Sequence, residues 1–316
     1  MAHVIYDNFY LSNEIEDQFN SHLDLQSFCT VDNSLVGVPG MKRKINVYSA
    51  TDGTQKLSMG EGNDRSIEVG YTQKEYEILL AQNRFEYYDE QAMTDPQLVP
   101  VGTRHMGTDM FNTVNGDIYA EFAKATRILP VETLDFAAFV DAQAMLNLEN
   151  LEGVSIFAFV CPADMAAIRK TLKDDLKYVE AFARNGYVGT VGGVNLYTKK
   201  DATSGDVYIA TKEAVTIFNK KGVDVEQVTG NSRSETAANV RLNTIFSRKY
   251  YLTALTDETK DIHIAVGQEA TATNDTSVDA ATTYYAKDGA GYVKVTPSAG
   301  DNPSTKGWYT IAPANP

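Results

Sequence analysis

Four glycines within the fifteen residues 185–199 are the first feature of the sequence that could support chemistry. Gly186, Gly189, Gly192 and Gly193 lie in the stretch NGYVGTVGGVNLYTK. Glycine-rich loops bind nucleotide phosphates when a strand precedes them and a helix follows, because the helix N-terminus then faces the phosphate. Here a helical pattern precedes the glycines and the strand-like VNLYTKK follows. The sequence therefore predicts a turn in which glycine supplies positive φ and close backbone approach.

The other residue types that catalyse reactions or bind metals are dispersed along the chain. No HxxxH pair or carboxylate at ligand spacing accompanies the four histidines, which are His3, His22, His105 and His263. Cys29 and Cys161 lie far apart, without a Cys or His at metal spacing, and are predicted to be small buried side chains. No serine lies in a GxSxG motif. We therefore predict no catalytic residue, no cofactor site and no metal site.

Aromatic residues near the C-terminus allow two interpretations. They are Tyr284, Tyr285, Trp308 and Tyr309. Such side chains could form a platform on which a sugar stacks, or a small aromatic core that holds the C-terminal segment together.

Composition limits the classes of protein that the chain can belong to. Hydrophobic residues make up 43% and charged residues 22% of its 316 residues, which is typical of a packed protein with one large core or two modest ones. The net charge of -14 repels nucleic acid and leaves no basic stripe to displace counterions, so a sequence-specific DNA or RNA reader is disfavoured. With no long apolar run and no signal-peptide pattern, neither a membrane span nor secretion is expected.

The N-terminal third reads as an arm followed by a hairpin. Residues 13–25 have a short helical pattern with Ile15 and Phe19 on its apolar face, inside an otherwise extended arm. Strand-like patterns over 44–88 predict one long β-hairpin, with a two-residue turn signal at Asp52 and Gly53 and a polar tip at 60–65. This hairpin has too few apolar residues to be stable alone, so it is expected to lie on a partner.

The rest of the chain mixes helices and strands. A turn-rich linker is predicted at 94–102, a long helix at 103–129 ended by Pro130, and a second helix at 133–148. The apolar run GVSIFAFVCP predicts a strand buried on both faces, and a helix follows from Pro162. Further strands are predicted at GDVYIAT, AVTIF and VDVEQV, with a long extended segment from ANVRL to TALT. Residues after 267 read as a polar linker and short aromatic strands, which must dock on the body or on a neighbour.

In this order, the patterns resemble the major capsid proteins of tailed bacteriophages with the Hong Kong 97-type fold. The stretch from GYVGTVGG to AVTIF is similar to a glycine-bearing β region of that family, and RHMGTDMFNTVNGDIYAEF is similar to its spine helix. The resemblance covers about residues 1–267 and implies an α+β fold. It implies an N-terminal arm at 1–41, a β-hairpin E-loop at 42–90, a P domain with the spine helix at 91–130 and 233–267, and an A domain at 131–232. Residues 268–316 lie outside it, as a linker and a small C-terminal β appendage.

The resemblance also implies a function. Copies of the chain would form hexamers and pentamers through their A domains and close into an icosahedral shell around packaged double-stranded DNA, assembled in the host bacterial cytoplasm. Arm and E-loop would lie across neighbouring subunits, and an acidic inner face would repel the packaged DNA. The residues expected to contact neighbours are Asp52, Gly53, Lys56, Gly60, Asp64, Arg65, Ile15 and Phe19.

Three expectations concern features in which family members differ. Some members begin with a helical scaffolding segment that is cleaved; this chain starts at the arm, so a separate scaffolding protein is expected together with a portal. Others crosslink an E-loop lysine to a neighbour's asparagine, for which Lys56 is the available lysine, although a solvated or salt-bridged lysine is the simpler interpretation. The appendage is expected on the outer surface, as decoration or as a clasp between capsomers.

Two alternatives stay open at the level of sequence. An encapsulin-like nanocompartment resembles the same fold but encloses an enzyme, so a neighbouring cargo gene would favour it, and portal and terminase genes would favour a phage. A soluble α/β nucleotide-binding enzyme built around the glycine cluster would form a small discrete oligomer instead of a shell.

Overall fold

The structure is a computed structural model that describes residues 23–148, 153–172, 189–230 and 235–314. The chain divides into two compact units. The first comprises residues up to Val31, Thr94–Ile217 and Thr253–Pro316, and the second comprises Asp32–Met93 and Phe218–Leu252. Most of the predicted helix at 13–25, including Ile15 and Phe19, lies outside the described residues, as does Gly186.

Helices and strands are interspersed along the chain, which gives a mixed α+β fold. The α-helices are α1 (Asp89–Thr94), α2 (Leu98–Phe122), α3 (Phe136–Met145), α4 (Pro162–Thr171) and α5 (Glu235–Asn239). Short 3-10 helices lie at Leu25–Phe28 and Glu258–Lys260. The strands are β1 (Thr30–Asp32), β2 (Lys42–Ala50), β3 (Val69–Glu77), β4 (Leu79–Tyr88), β5 (Arg127–Val131), β6 (Ile156–Val160), β7 (Thr190–Val191), β8 (Val194–Thr198), β9 (Asp206–Thr211), β10 (Val215–Val228), β11 (Leu242–Leu255), β12 (Asp261–Val266), β13 (Gln268–Ala272), β14 (Tyr285–Asp288), β15 (Gly291–Lys294) and β16 (Tyr309–Pro313).

A ten-stranded mixed sheet organises the first unit, in the order β13-β16-β14-β15-β5-β12-β9-β6-β8-β7. The predicted buried strand is β6, which lies between β9 and β8 and has all five of its residues buried. Helices α3 and α4 supply side chains that pack with one face of this sheet in a mainly aliphatic cluster. The members of that cluster include Phe139, Ala142, Ile168, Ile156, Ala158, Ile209 and Ile264.

The opposite face of the sheet is aromatic. The register of β6, β9 and β12 places Phe159, Tyr208 and His263 on one face of the sheet, because directly paired residues point to the same side. From α2, Tyr119 packs edge-on against Tyr208 at 5.5 Å between ring centroids, and Phe122 packs at 5.4 Å from Phe159. Aromatic pairs in such arrangements contribute beyond the area that they bury. This face therefore holds the long helix α2 on the sheet.

Helix α2 begins earlier and ends earlier than the sequence predicts. The linker prediction for 94–102 is wrong from Leu98, because Pro100 lies in the first helical turn, where its missing N–H has no partner to lose. The helix ends at Phe122, not at Pro130, and Arg127–Val131 forms β5. Pro130 therefore lies within a strand. Helix α3 is likewise shorter than predicted, since Asp135 caps it by accepting a hydrogen bond from the Ala138 amide at 2.9 Å.

The C-terminal segment is part of the first unit's sheet. Strand β15 pairs antiparallel with β5, so that Tyr292 lies opposite Ile128. The predicted linker after residue 267 begins instead with β13, whose five residues pair with β16. Among the described residues, the C-terminal segment thus extends the central sheet of its own chain.

The second unit contains the predicted hairpin, but with a different turn. Strands β2 and β3 pair from Lys42 with Glu77 to Ala50 with Val69, so residues 51–68 form a long loop. The prediction of a two-residue turn at Asp52 and Gly53 is wrong, because the last pair of the two strands is Ala50 with Val69. Strand β4 is not part of the hairpin either: it pairs along its length with β11, in a sheet of order β1-β10-β11-β4.

Two strand predictions in the second half merge. The predicted strands AVTIF and VDVEQV form a single strand, β10, which includes Gly222. The extended segment predicted from ANVRL begins with the short helix α5 and continues as β11. Among the described residues, no helix has both the length and the apolar character that a bilayer-spanning segment needs.

Candidate assembly surfaces

Six of the residues predicted to contact neighbouring subunits lie in one loop of the second unit, at 51–68. The loop is closed by hydrogen bonds from the Thr51 amide to the Glu68 carbonyl at 3.0 Å and from the Glu68 amide to the Thr51 hydroxyl at 2.9 Å. Five of the six are exposed, and these are Asp52, Lys56, Gly60, Asp64 and Arg65. The loop is thus a solvent-facing surface at the end of the hairpin.

Gly53 is the buried exception in this loop. A Cβ at this position would lie 2.5 Å from Ile67 Cγ1 and 3.0 Å from the Ile67 amide nitrogen. The Asn63 side-chain amide also donates a hydrogen bond to the Gly53 carbonyl at 3.0 Å. Gly53 consequently sets the shape of the loop through close backbone approach.

An aromatic pair on the hairpin was missed by the sequence reasoning. Tyr48 and Tyr71 lie directly opposite each other with ring centroids 6.0 Å apart, and their exposed fractions are 66% and 65%. Val69, two residues before Tyr71 in β3, points to the same face and is equally exposed. Toward the other end of the hairpin, the same face becomes charged, and Lys42 Nζ lies 2.8 Å from Glu75 Oε1. The pair could not be recognised from sequence, because the misplaced turn gave the wrong register.

Exposed apolar residues are concentrated in the second unit. Of the twenty exposed large hydrophobic residues among the described ranges, sixteen belong to this unit. On the hairpin and its loop they are Tyr48, Leu57, Met59, Ile67, Val69 and Tyr71. Clustered apolar exposure of this kind marks surfaces that are covered by a binding partner.

The glycine cluster forms a turn in the first unit. Val191 pairs with Val194, so Gly192 and Gly193 are the two residues of a β-hairpin turn, with φ of 55° and 82°. Two positive φ values define a type I′ turn, which glycine adopts without steric cost. A Cβ on Gly192 would lie 3.2 Å from Val140 Cγ2, so the turn packs closely on α3. Gly189 accepts a hydrogen bond from the Leu196 amide at 2.9 Å.

This geometry does not suit a phosphate. A strand, β8, follows the two glycines, so the segment after them does not offer a helix N-terminus to a phosphate. A cavity of about 320 Å³ does lie in the first unit, between α3 and the β14–β15 turn, and Gly189, Gly192 and Gly193 do not line it. Its charged lining is Arg127, Asp141 and Asp288, with two carboxylates against one guanidinium. Arg127 is engaged already, since it donates to the Met145 carbonyl at 2.6 Å.

The C-terminal aromatic residues divide between core and surface. Tyr284 and Trp308 are buried, with ring centroids 5.7 Å apart. The Tyr284 hydroxyl donates to Asp275 Oδ2 at 2.9 Å and accepts from the Asp279 amide at 3.1 Å. Tyr285 and Tyr309 pair across β14 and β16 and are half-buried. Tyr284 and Trp308 thus form a small core, while the other two reach the surface.

Groups that could act as acids, bases or nucleophiles are engaged in packing. His263 Nε2 lies 2.7 Å from Asp206 Oδ1 and its ring stacks on Tyr208, a pairing between strands that sequence spacing does not reveal. Burial raises the pKa of Tyr208 to about 12. Burial likewise raises the pKa of the Cys29 thiol to about 12, which removes its nucleophilic form at neutral pH. In the ranges that the structure describes, no group of three or more metal-ligating side chains converges.

Solved structures of phage capsids share this architecture. The capsid of cyanophage P-SCSP1u superposes with a TM-score of 0.64 at 12% identity, covering 81% of this chain and 92% of that chain. For the mature capsid of bacteriophage PhiM1 the TM-score is 0.63 at 11% identity, over 84% and 92% of the two chains. For the capsid of Ralstonia phage GP4 it is 0.58 at 11% identity, over 84% and 93%. The chain has the Hong Kong 97-type capsid fold.

The capsid fold is shared without detectable similarity of sequence. In sequence, the chain matches no protein-family model and no curated protein. Because the superpositions span more than four fifths of this chain and more than nine tenths of the phage chains, the likeness concerns the whole arrangement of helices and strands.

Proposed function

We propose that this chain is the major capsid protein of a tailed phage. In this role it assembles as hexamers and pentamers into the icosahedral head shell that encloses packaged double-stranded DNA, so its place is in the virion and its task is structural rather than enzymatic. The observation that carries the proposal is the capsid fold, which superposes on phage capsid chains over most of their length.

The apolar surface of the second unit supports self-assembly. The hairpin of β2 and β3 with its loop leaves Tyr48, Tyr71 and Ile67 exposed, although burial of such side chains is worth about 25 cal/mol per Å². A neighbouring copy in the shell is the natural cover for them, and contacts repeated at every subunit can each be modest. The loop residues Asp52, Lys56, Gly60, Asp64 and Arg65 are proposed to contact that neighbour as well.

The subdomains of the capsid fold can be assigned as part of this proposal. The β2–β3 hairpin with loop 51–68 is the E-loop, α2 is the spine helix of the P domain, and the region from 131 to Ile217 forms the A domain. Strand pairing suggests that β4 and the second half of β10 belong with β11 in the P domain, because all three lie in one sheet. Residues 1–41 are the proposed arm, and 268–316 the outward-facing appendage.

The acidic charge fits a shell that encloses DNA without binding it. A net charge of -14 keeps phosphates at a distance, so DNA can be packaged and ejected freely. A scaffolding protein and a portal are proposed as further partners, and no nucleic-acid sequence is proposed to be recognised.

Electron microscopy of the expressed chain tests the proposal. The full chain is produced alone and together with the product of a neighbouring scaffold gene, and the particles are imaged. We expect closed shells or tubes with hexameric capsomers in at least one condition. Discrete small oligomers in both would contradict the capsid role.

The contents of native particles separate a phage head from an encapsulin-like compartment. Particles purified from the natural host should contain nuclease-protected DNA, whereas an enzyme in place of DNA would support the compartment. The same particles also test the proposed Lys56 crosslink when they are boiled in denaturant and separated on a gel. A ladder of covalent oligomers that is lost in a Lys56→Arg variant would support the crosslink. A single monomer band from the natural chain would contradict it.

A further inference from the structure

Asp261 carries a buried carboxyl group in the central sheet of the first unit. It is the first residue of β12, a central strand of the first unit's sheet, and its exposed fraction is 0%. Among the described residues, neither of its carboxylate oxygens has a hydrogen-bond partner. The Ile262 amide is near enough to oppose the rise in pKa slightly, but it does not reach hydrogen-bond geometry. A carboxylate in this position would lose its hydration without compensation.

Among the described residues, no group around Asp261 forms an ion pair with it, and His263, on the same face of β12, is paired through Nε2 with Asp206 Oδ1 at 2.7 Å. Asp261 lies opposite Ala210 of β9, and from the same strand Tyr208 is close enough to feel its charge. The one charged residue of β5, Arg127, is in register with Ile262 and therefore on the opposite face. At the end of α2, Lys124 Nζ is 2.6 Å from Glu121 Oε1 and is thus already paired.

The chain just before β12 is charged but does not compensate Asp261. Glu258 and Lys260 belong to the preceding 3-10 helix, which Asp257 caps through the Thr259 amide at 2.9 Å. Among the described residues, no charged neighbour compensates Asp261, and burial holds its pKa well above the usual value.

We propose that Asp261 is a proton-dependent lock on the first unit, closed while the carboxyl is protonated and released when the proton leaves. A neutral carboxyl can remain in the apolar layer between α2 and the sheet. An ionised one must be hydrated, and hydration requires β12 to separate from β9 or α2. The fold thus contains a point at which alkaline pH weakens the central sheet, whether or not the chain forms a shell.

The sign of the pH dependence follows from linkage. The unfolded chain releases this proton near the ordinary aspartate pKa of about 4, whereas the folded chain keeps it to a higher pH. The folded state therefore binds more protons between these two values, and stability falls as pH rises. The unfolding constant should increase about tenfold per pH unit in this window from Asp261 alone.

A second buried aspartate provides the matched control. Asp164 in α4 is also nearly inaccessible, but its Oδ1 accepts from the Ser204 hydroxyl at 2.8 Å and its Oδ2 from the Gly205 amide at 2.9 Å. Because an asparagine side chain has one acceptor oxygen where the carboxyl group has two, Asp164→Asn should leave one of these donors unpaired and destabilise the chain. Asp261→Asn should have the opposite effect.

The experiment is urea unfolding of the full chain at several pH values from 5 to 9, followed by the fluorescence of Trp308, the only tryptophan. We expect the stability advantage of Asp261→Asn over the natural chain to be smallest at pH 5 and to grow as pH rises, up to the pH at which the folded chain releases the proton. Asp164→Asn should show no such growth.

Two outcomes would overturn the lock. One is a constant difference between Asp261→Asn and the natural chain across the pH range, and the other is a variant that is less stable at every pH. If Asp261→Asn does not fold, the proposal is tested by the number of protons that the natural chain takes up on refolding at pH 7. This number is obtained from refolding enthalpies in two buffers of different ionisation enthalpy. It must exceed the number taken up by Asp261→Leu. Equal uptake would contradict the proposal.

Discussion

The two units of the chain differ in how far their apolar residues are buried: the first unit buries most of them, and the second leaves many exposed. Of the 48 buried hydrophobic residues in the described ranges, only eight belong to the second unit, whereas that unit holds sixteen of the twenty exposed large ones. The first unit has an aliphatic layer on one face of its sheet and an aromatic layer on the other. The second has a sheet and a hairpin whose outer face is uncovered.

This difference separates folding from assembly. A sheet covered on both faces by helices supplies most of the burial that stabilises a chain, so the first unit is expected to determine folding. A two-stranded hairpin is marginal by itself, and its exposed tyrosines add little until something covers them. Substitutions in the first unit should therefore reduce the free energy of unfolding, and those in the hairpin should reduce association.

The largest effect is expected from Phe159→Ala. Phe159 is completely buried and packs against Phe28, Phe122 and Phe157. Removing a buried aromatic ring should lower the free energy of unfolding by about 3–5 kcal/mol. Urea unfolding of the unassembled chain measures this loss.

Tyr71→Ala is the control for Phe159→Ala, since it removes an aromatic ring of similar size from the second unit. Because Tyr71 is exposed, we expect its loss to change the free energy of unfolding by less than about 1 kcal/mol. Similar losses in the two variants would contradict the division between the units.

A smaller loss is expected where the appendage meets the body. A Cβ on Gly291 would lie 2.8 Å from the Ile128 carbonyl oxygen and 2.4 Å from Met145 Sδ. The methionine end can move but the backbone of β5 cannot, so Gly291→Ala should cost about 1–3 kcal/mol. Gly116→Ala is the control, because its Cβ would have open space within α2 and should stabilise the helix by about 0.5–1 kcal/mol.

Deletion of residues 268–316 is a poor test of whether the appendage clasps neighbouring capsomers, because the appendage also packs on its own chain. The deletion would remove β15 from β5 and uncover Met145, so a loss of particles would follow from either cause. Gly291→Ala avoids this ambiguity because the appendage stays present. If Gly291→Ala were as stable as the natural chain, the appendage would not be part of the first unit's sheet.

Substitutions at Gly192 measure how much the turn between β7 and β8, at the edge of the first unit's sheet, contributes to stability. Gly192→Ala places a side chain at φ of 55°, which should cost about 1–2 kcal/mol. Gly192→Asn meets the same Val140 side chain but tolerates the left-handed conformation better, so it should lose less. Thermal unfolding of both variants measures the difference. Equal losses would attribute the cost to the contact with Val140 instead of to the backbone.

Local patterns were enough to predict the elements whose burial is continuous. The run IFAFV is apolar throughout and is a fully buried strand, and Pro162 lies where the next helix begins. The error at Pro100 was also local, because the sequence does not distinguish a proline that ends a linker from one in the first turn of a helix. The capsid fold itself was expected from the order of these elements.

Pairings between distant segments could not be predicted. Leu80 pairs with Tyr250, and Tyr292 with Ile128, and no short-range pattern specifies such a partner. The same holds for the surfaces: Tyr48 and Tyr71 become neighbours only when the loop between them is 51–68. The buried Asp261 has no sequence signature, since an aspartate at the start of a strand is commonly solvated.

The smallest effect on folding, and the most informative for assembly, is expected from Tyr48→Ser combined with Tyr71→Ser. Losing a cross-strand aromatic pair should change the free energy of unfolding by at most about 1 kcal/mol, because the pair is two-thirds exposed. If a neighbouring copy covers this face, the double variant should fold normally yet yield few or no closed particles under the electron microscope. The control is Asn46→Ser with Gln73→Ser, a polar pair on the same face joined at 2.9 Å, which should still assemble. Normal particles from the tyrosine variant would show that the hairpin face is not an assembly contact, and particle loss from both variants would point to the strands of the hairpin instead of to the tyrosines.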